Sequence, residues 1–243
     1  MLNALIALSL TGFSGEMHIG SVTQYREGDA AISEIKKAAD WKPLGKNHAS
    51  LGFRAAPVWL RFALRNDEKV PQHLVLDLGY PLHDRVDFYF AVGAGVAKKT
   101  SGDAYPYSTR EIDATNIAFR LSVPRGESTY YVRIDSQSSM VLPLRILTEE
   151  RFRAQIFQEY TVLFLYYGIL IVMAVYNLFL FFSIRDRTYL WYTLFTACLA
   201  VNTAVLNGMA FQYFWPDSPR WGNMAALVFV FLIHALGIEF SRS

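Results

Sequence analysis

Residues 161–184 read TVLFLYYGILIVMAVYNLFLFFSI, about 24 positions without a charge, and the run stops at Arg185-Asp186-Arg187. A helix of that length crosses a hydrocarbon core of roughly 30 Å. The stretch divides the chain in two. After Tyr160 the only charged side chains are Arg185, Asp186, Arg187, Asp217, Arg220, Glu239 and Arg242. A second uncharged run covers 188–216, with Tyr189, Trp191 and Tyr192 near one end and Tyr213, Phe214 and Trp215 at the other. Aromatics at both ends fit the two interfacial belts of a membrane. A turn at Trp215-Pro216-Asp217-Ser218-Pro219-Arg220 precedes a third run from Trp221 to Phe240. The expectation is an α-helical transmembrane bundle over 161–243 with three spans, about 161–184, 189–213 and 221–240. Arg185, Arg187 and Arg242, against a lone Arg220, put the C-terminus in the cytoplasm and the N-terminal part outside it.

Averaged over 243 residues, 18% charged and 53% hydrophobic side chains describe an ordinary soluble protein, so composition speaks only once the chain is split. A net charge of +2 gives a polyanion no purchase, and no nucleic-acid partner is expected. The lone Cys198 falls in an apolar run, so the head has no disulfides. Residues 1–13, MLNALIALSLTGF, are apolar and precede the small pair Ser14-Gly15. They resemble the core and cleavage site of a secretory signal over 1–15, but lack its basic start. A misplaced start codon and a buried strand are the other readings.

Residues 16–147 form the head, and from Leu51 onward its dominant period is two. Val58, Leu60, Phe62 and Leu64 alternate with Trp59, Arg61, Ala63 and Arg65; Val86, Phe88 and Phe90 alternate with Asp87 and Tyr89. The pattern repeats at 74–78, 117–123, 130–134 and 140–146, with turn signals such as Gly79-Tyr80-Pro81 and Pro124-Arg125-Gly126 between. Several short strands with one apolar face each predict an all-β sandwich or jelly roll, an extracytoplasmic domain if the orientation holds. One short helix is expected before them, capped by Asp29, with Ile32, Ile35 and Ala39 on one face. At Thr148 the pattern turns helical: Thr148 caps, Glu149 and Glu150 fill the first turn, and Phe152, Ile156 and Tyr160 share a face. No Gly or Pro separates this juxtamembrane helix, 148–160, from the first span. It either carries motion from the head into the membrane or anchors the head at the interface.

With the apolar sets inward, Trp59, Arg61, Asp87, Tyr89, Tyr131, Arg133 and Asp135 face outward. Aromatic rings mixed with Arg and Asp suit a small polar ligand such as a carbohydrate, the rings stacking and the charges bonding hydroxyls. A second candidate is the loop carrying Tyr105, Tyr107 and Arg110. Both sets are equally what a solvated sheet face and a surface loop contain. In the spans, Asn177, Asn202 and His234 are polar; interhelical hydrogen bonding accounts for them more simply than a proton or ion path through Asn202, His234 and Glu239. No catalytic constellation, phosphate loop or metal spacing is present, and no enzyme activity or cofactor is expected. His73 and His83 lie near Asp77, Asp84 and Asp87 in sequence, but Asp84 and Asp87 flank a strand start and do not converge on a metal.

Several blocks together resemble one family. They are Leu51-Gly52-Phe53 with Pro57-Val58-Trp59-Leu60-Arg61-Phe62 and Asn66, then Leu78-Gly79-Tyr80-Pro81-Leu82-His83-Asp84-Arg85-Val86-Asp87-Phe88-Tyr89. Next come Tyr130-Tyr131-Val132-Arg133-Ile134 and Leu142-Pro143-Leu144, then Tyr166-Tyr167-Gly168, Tyr176-Asn177 and Arg185-Asp186-Arg187-Thr188-Tyr189-Leu190. From about residue 17 onward the chain resembles the seven-transmembrane receptors with diverse intracellular signalling modules, in the class with the type 2 extracellular domain. The resemblance implies a jelly-roll head similar to carbohydrate-binding modules, a periplasmic head on a bacterial inner membrane, and a kinase or cyclase output. The sequence departs from that pattern in carrying three spans rather than seven and no output module, as a fragment or degenerate copy would. Within the matched blocks Tyr80, Asp84 and Arg85 serve either folding or ligand. The expected function is a membrane receptor, or its sensor half, for a small ligand, acting in the lipid bilayer as a homodimer or with another membrane sensor. A head that docks another sensor protein, and a transport or channel subunit, are the alternatives.

Overall fold

A computed structural model describes residues 5–93 and 95–242. It separates into two compact units that divide between Arg153 and Ala154. In chain order the first unit contains β1 (Ala7–Ser9), β2 (Glu16–His18), β3 (Gln24–Glu27), α1 (Ile32–Ile35), β4 (Lys42–Pro43), β5 (Ala49–Gly52), β6 (Val58–Asn66) and β7 (Gln72–Asp77). Then follow β8 (Arg85–Val92), β9 (Gly95–Ser101), a 3₁₀ turn at Tyr107–Thr109, β10 (Ala118–Val123), β11 (Gly126–Asp135), β12 (Met140–Leu142) and β13 (Arg145–Thr148).

Two sheets face each other. The larger runs β4-β3-β6-β11-β8-β9, and the smaller β10-β7-β13-β2, with β12 and β5 as a separate pair. β6, nine residues long, pairs along its length with β11 on one side, and two short strands share its other edge end to end. β3 pairs with Val58 to Arg61, and β1 runs parallel to Ala63, Leu64 and Arg65. The predicted inward set is buried: Val58, Leu60 and Leu64 are fully enclosed, and residues of both sheets form one core. Phe88 of the larger sheet stacks on Phe119 of the smaller at 5.5 Å between ring centres. The Tyr130 hydroxyl donates to the Ser122 carbonyl across the same gap. These contacts make the head a β-sandwich, as the period of two requires.

Three local expectations change. Residues 1–4 lie outside the described residues, so the leader reading of 1–15 falls partly beyond view; of the rest, Ala7–Ser9 pair with β6 and Leu10 enters the core. Asp29 does not cap α1: the residue before that helix is Ala31, whose side chain caps nothing, while the Asp29 carboxylate accepts from Arg133. The alternate residues of β6 are also not all outward, because Trp59 is 1% exposed. The segment carrying α1 and Trp41 lies over that part of the outer face.

The helices are α2 (Glu149–Ile184), α3 (Arg187–Leu206), α4 (Met209–Tyr213) and α5 (Pro219–Arg242). Thr148 caps α2 as read from sequence, its Oγ1 accepting from the Arg151 N–H. α2 continues without a break for 36 residues. Three helices, α2, α3 and α5, are long and apolar enough to cross a membrane. The second span is shorter than expected. The run 189–213 breaks at Asn207 and Gly208, where Gly208 adopts φ 75°, and resumes as the five-residue α4. In the second unit Ala204, Val205, Met209, Ala210 and Ala225 form a buried knot, whose three alanines let α3, α4 and α5 approach closely.

Candidate ligand-binding cleft

The register of three neighbouring strands gathers the outward set into rows. Trp59 on β6 lies opposite Arg133 on β11, which lies opposite Asp87 on β8, which faces Thr100 on β9. The next row is Gln24, Arg61, Tyr131, Tyr89 and Lys98. Asp135 and Arg85 start a third. Seven residues chosen for their period therefore do share one face, since side chains two apart on a strand project the same way.

The chain itself fills half of that face. Trp41 stands over the second row: the Arg61 guanidinium lies 4.4 Å from the centre of a Trp41 ring, and Tyr131 tilts against the same indole. Arg61 Nε donates to the Gln24 side-chain oxygen at 2.7 Å. Burial lowers the Arg61 pKa and raises that of Tyr131. Arg61 and Tyr131 thus hold the covering segment, and a ligand reaches neither without displacing Trp41.

The other half is open. A cleft of about 500 Å³ is lined by Trp59, Arg85, Asp87, Tyr89 and Arg133 from the sheet, with Asp29, Ala30, Ala31, Ile32 and Glu34 as its second wall. Asp87, 1% exposed, anchors it: the carboxylate accepts from Arg85 Nε at 3.0 Å and from the Thr100 hydroxyl at 2.6 Å. Arg133 Nη2 bonds Asp29 at 2.9 Å and Asp135 at 3.3 Å, tying sheet to covering segment. Tyr89 packs on Trp59 with ring centres 5.3 Å apart; burial first, and Asp87 second, raise its phenol pKa. Beneath it, the Trp59 indole Nε1 is buried with no hydrogen-bond partner among the described residues. A buried donor left unmet costs free energy, and because this N–H is closed to solvent it can gain an acceptor only where the packing over it shifts.

Three carboxylates and two guanidiniums line the cleft, one negative charge in excess. Neither a polyanion nor a polycation is matched by such a set. A neutral molecule with many hydroxyls is, because it can accept from Arg and Trp and donate to Asp and Glu at once.

The loop candidate divides. Tyr105 lies near enough to Arg85 to act on it electrostatically. Tyr107 and Arg110 serve the loop itself. The Tyr107 hydroxyl donates to Asp113, and Arg110 Nη1 to the carbonyls of Ala114 and Thr115 while stacking on Tyr107. Of the motif residues, Arg85 lines the cleft, whereas Asp84 accepts from the Gln137 N–H at 2.6 Å and Tyr80 packs on the His83 ring. Both fasten the β7–β8 turn. Gly102 abuts the Asp84 backbone with φ 153°, and no side chain would fit there. The neighbouring Asp103 carboxyl is pushed up to about 7, by burial first and Asp84 second; burial takes His83 down to about 4. Among the described residues no group of three or more His, Cys, Asp or Glu is placed to hold a metal ion.

In the second unit Asn177 donates to Met173 of its own helix, and the exposed His234 ring bonds the Val230 carbonyl. Only Asn202 is buried. Among the described residues no hydrogen bond joins Asn202 to His234. Asp29 and Glu34 of the cleft wall and Trp41 of the covering segment are missing from the sequence-based candidates: Asp29 reads as a helix cap, and the sequence does not show that its helix lies over the sheet.

Residues 21–148 match the family model described as 7TMR-DISM extracellular 2, and residues 159–243 match that described as 7TM diverse intracellular signalling. The search of curated proteins gave no match.

Proposed function

Because the chain belongs to the seven-transmembrane receptors with diverse intracellular signalling, membrane sensors with an extracellular domain, we propose that its β-sandwich binds a small neutral polyol, a carbohydrate or a close mimic, in the cleft over Trp59. The observation that carries the reading is the unmet Trp59 N–H beneath a mixed wall of Arg85, Asp87, Arg133, Asp29 and Glu34. The head stands on the periplasmic side of a bacterial inner membrane, in keeping with Arg185, Arg187 and Arg242 lying at the ends that would face the cytoplasm. Binding biases α2, whose unbroken helix leads from the capped Thr148 into the bilayer. Such bias requires two arrangements that bind the ligand with different affinity. The output is a cytoplasmic signalling module reached through the membrane helices, with a second copy or another sensor as partner, and the chain itself catalyses nothing.

The test is a thermal-shift screen of neutral mono- and oligosaccharides on the full chain in lipid nanodiscs, repeated with Trp59→Phe. A sugar that stabilises the native protein and loses roughly fivefold in affinity in the variant is expected, one hydrogen bond being worth about 1 kcal/mol. Stabilisation by no sugar, together with co-purification of another sensor protein, would transfer the exposed face to protein docking.

A further inference from the structure

A second cleft lies where the edges of the two sheets meet. We propose that it binds a small amphipathic acid, an apolar body of about a dozen non-hydrogen atoms bearing one carboxylate, independently of the polar cleft. Its volume is about 590 Å³. Leu74 and Leu121 of the smaller sheet form its floor and Phe90 and Val92 of the larger sheet its wall. Leu74 and Leu121 are buried in the core, and Val92 is 56% exposed, an apolar side chain on an open lip. This lining is more apolar than that of the first cleft, so it takes a different class of ligand.

The rim decides the head group. Lys99 reaches across the gap between the sheets, donating to the Arg120 carbonyl at 2.8 Å and to Glu111 at 2.7 Å. Arg120 Nε donates to Glu149 at 2.9 Å and Nη1 to the Glu111 carbonyl. An ammonium has three donors and a guanidinium five. One Lys99 donor and the Arg120 Nη2 therefore keep capacity among the described residues. Lys99 and Arg120 are paired with Glu111 and Glu149, so a ligand carboxylate meets them by exchange with one of those partners, using the donors left over. Glu149 is the first residue of α2, so a ligand carboxylate on Arg120 competes with the start of that helix for its partner.

The experiment is calorimetric titration of the full chain in nanodiscs with 4-phenylbutyrate, with 4-phenylbutanol as the uncharged comparison and empty nanodiscs as the partition blank. Saturable binding of the acid at least roughly tenfold tighter than the alcohol is expected, from one charge-assisted pair. Arg120→Gln weakens it by a similar factor. Glu149→Gln strengthens it severalfold, since a competitor is gone; a residue that merely braced the fold would move both variants the same way. Ala91→Trp, at an exposed lining position, fills the cleft and abolishes binding while the unliganded melting temperature stays as in the parent. No saturation below about 10 mM, a K too weak to use the charge, overturns the proposal. So does equal binding to Ala91→Trp, or an alcohol as good as the acid.

Discussion

Trp59 separates two roles that one indole plays, and two substitutions take them apart. The side chain is 1% exposed and packed among Ile35, Trp41 and Tyr89, yet its N–H has no acceptor among the described residues. Trp59→Ala removes the whole ring from an enclosed site, at a cost of about 3–5 kcal/mol. Trp59→Phe keeps a six-membered ring and forfeits about 1–2 kcal/mol of packing. It also removes a buried donor whose missing partner costs about 1–3 kcal/mol. The two terms offset, and Trp59→Phe should lie within about 1 kcal/mol of the parent. Amide hydrogen exchange of β6 and β11 in the full chain reads the difference locally, because those strands flank the ring. Exchange accelerated by Trp59→Ala alone is the expected result. Equal acceleration in both variants would mean that the N–H is already satisfied inside the protein. The polar cleft would then have lost the group that makes it a site.

Two further perturbations bear on the fold. The Asp103 carboxyl, near 7 instead of 3.8, makes the folded head lose stability as pH rises between those values, because the folded state holds the proton longer. His83, near 4 instead of 6.5, acts in the opposite sense, since the unfolded state takes up its proton first. The two cancel between about pH 4 and 6.5. Urea denaturation should show a head nearly indifferent to pH there, while Asp103→Asn gains about 2 kcal/mol from pH 5 to 6.5; a flat profile in the variant would contradict the assignment. Gly208→Ala forces a side chain into φ 75° and should cost about 1–2 kcal/mol in the helical unit, measured as a lowered melting transition in nanodiscs. No loss would show that the break between α3 and α4 is not fixed by that glycine.

The sandwich was legible because alternation is a direct consequence of strand geometry. Leu60 and Phe62 point to the core for the same reason that Arg61 does not. Coverage was not legible. Whether the outer face of β6 meets water depends on where residues 29–41 pack, and the helical face read at Ile32, Ile35 and Ala39 does not say which surface it covers. Thus Trp59 reads as an exposed platform and is a buried floor. Tyr107 and Arg110 read as ligand groups because a sequence does not reveal that the carbonyls of Ala114 and Thr115 need their donors. In the membrane part, hydropathy found the apolar runs and passed over the break at Asn207 and Gly208. An apolar side chain contributes the same whether its backbone is helical or turned, and a glycine in the run was the only signal.

On the proposed reading, the covering segment sets the selectivity of the first cleft. Sheet residues alone would present Arg85, Arg133 and Tyr89 around one buried carboxylate, a face suited to an anion. Asp29 and Glu34 reverse that balance, and both come from the segment. It is held by Ile35 and Trp41 in a small cluster with Trp59, by Arg61 and Tyr131 on Trp41, by Arg133 on Asp29, and by Arg26 on Asp40 at 2.7 Å. None of these ties is a strand ladder. The Asp40 carboxylate, drawn below its usual range by the Arg26 hydrogen bond, is fully solvated. Exposed pairs of that kind add little. The segment is therefore fastened mainly by two apolar anchors, and local opening there is the cheapest motion by which the cleft can change shape. A ligand that bonds Asp29 and Glu34 on one side and Trp59 and Arg85 on the other spans segment and sheet together. It would close the motion that the weak ties leave open, which is the difference in affinity between two states that the proposed sensing requires.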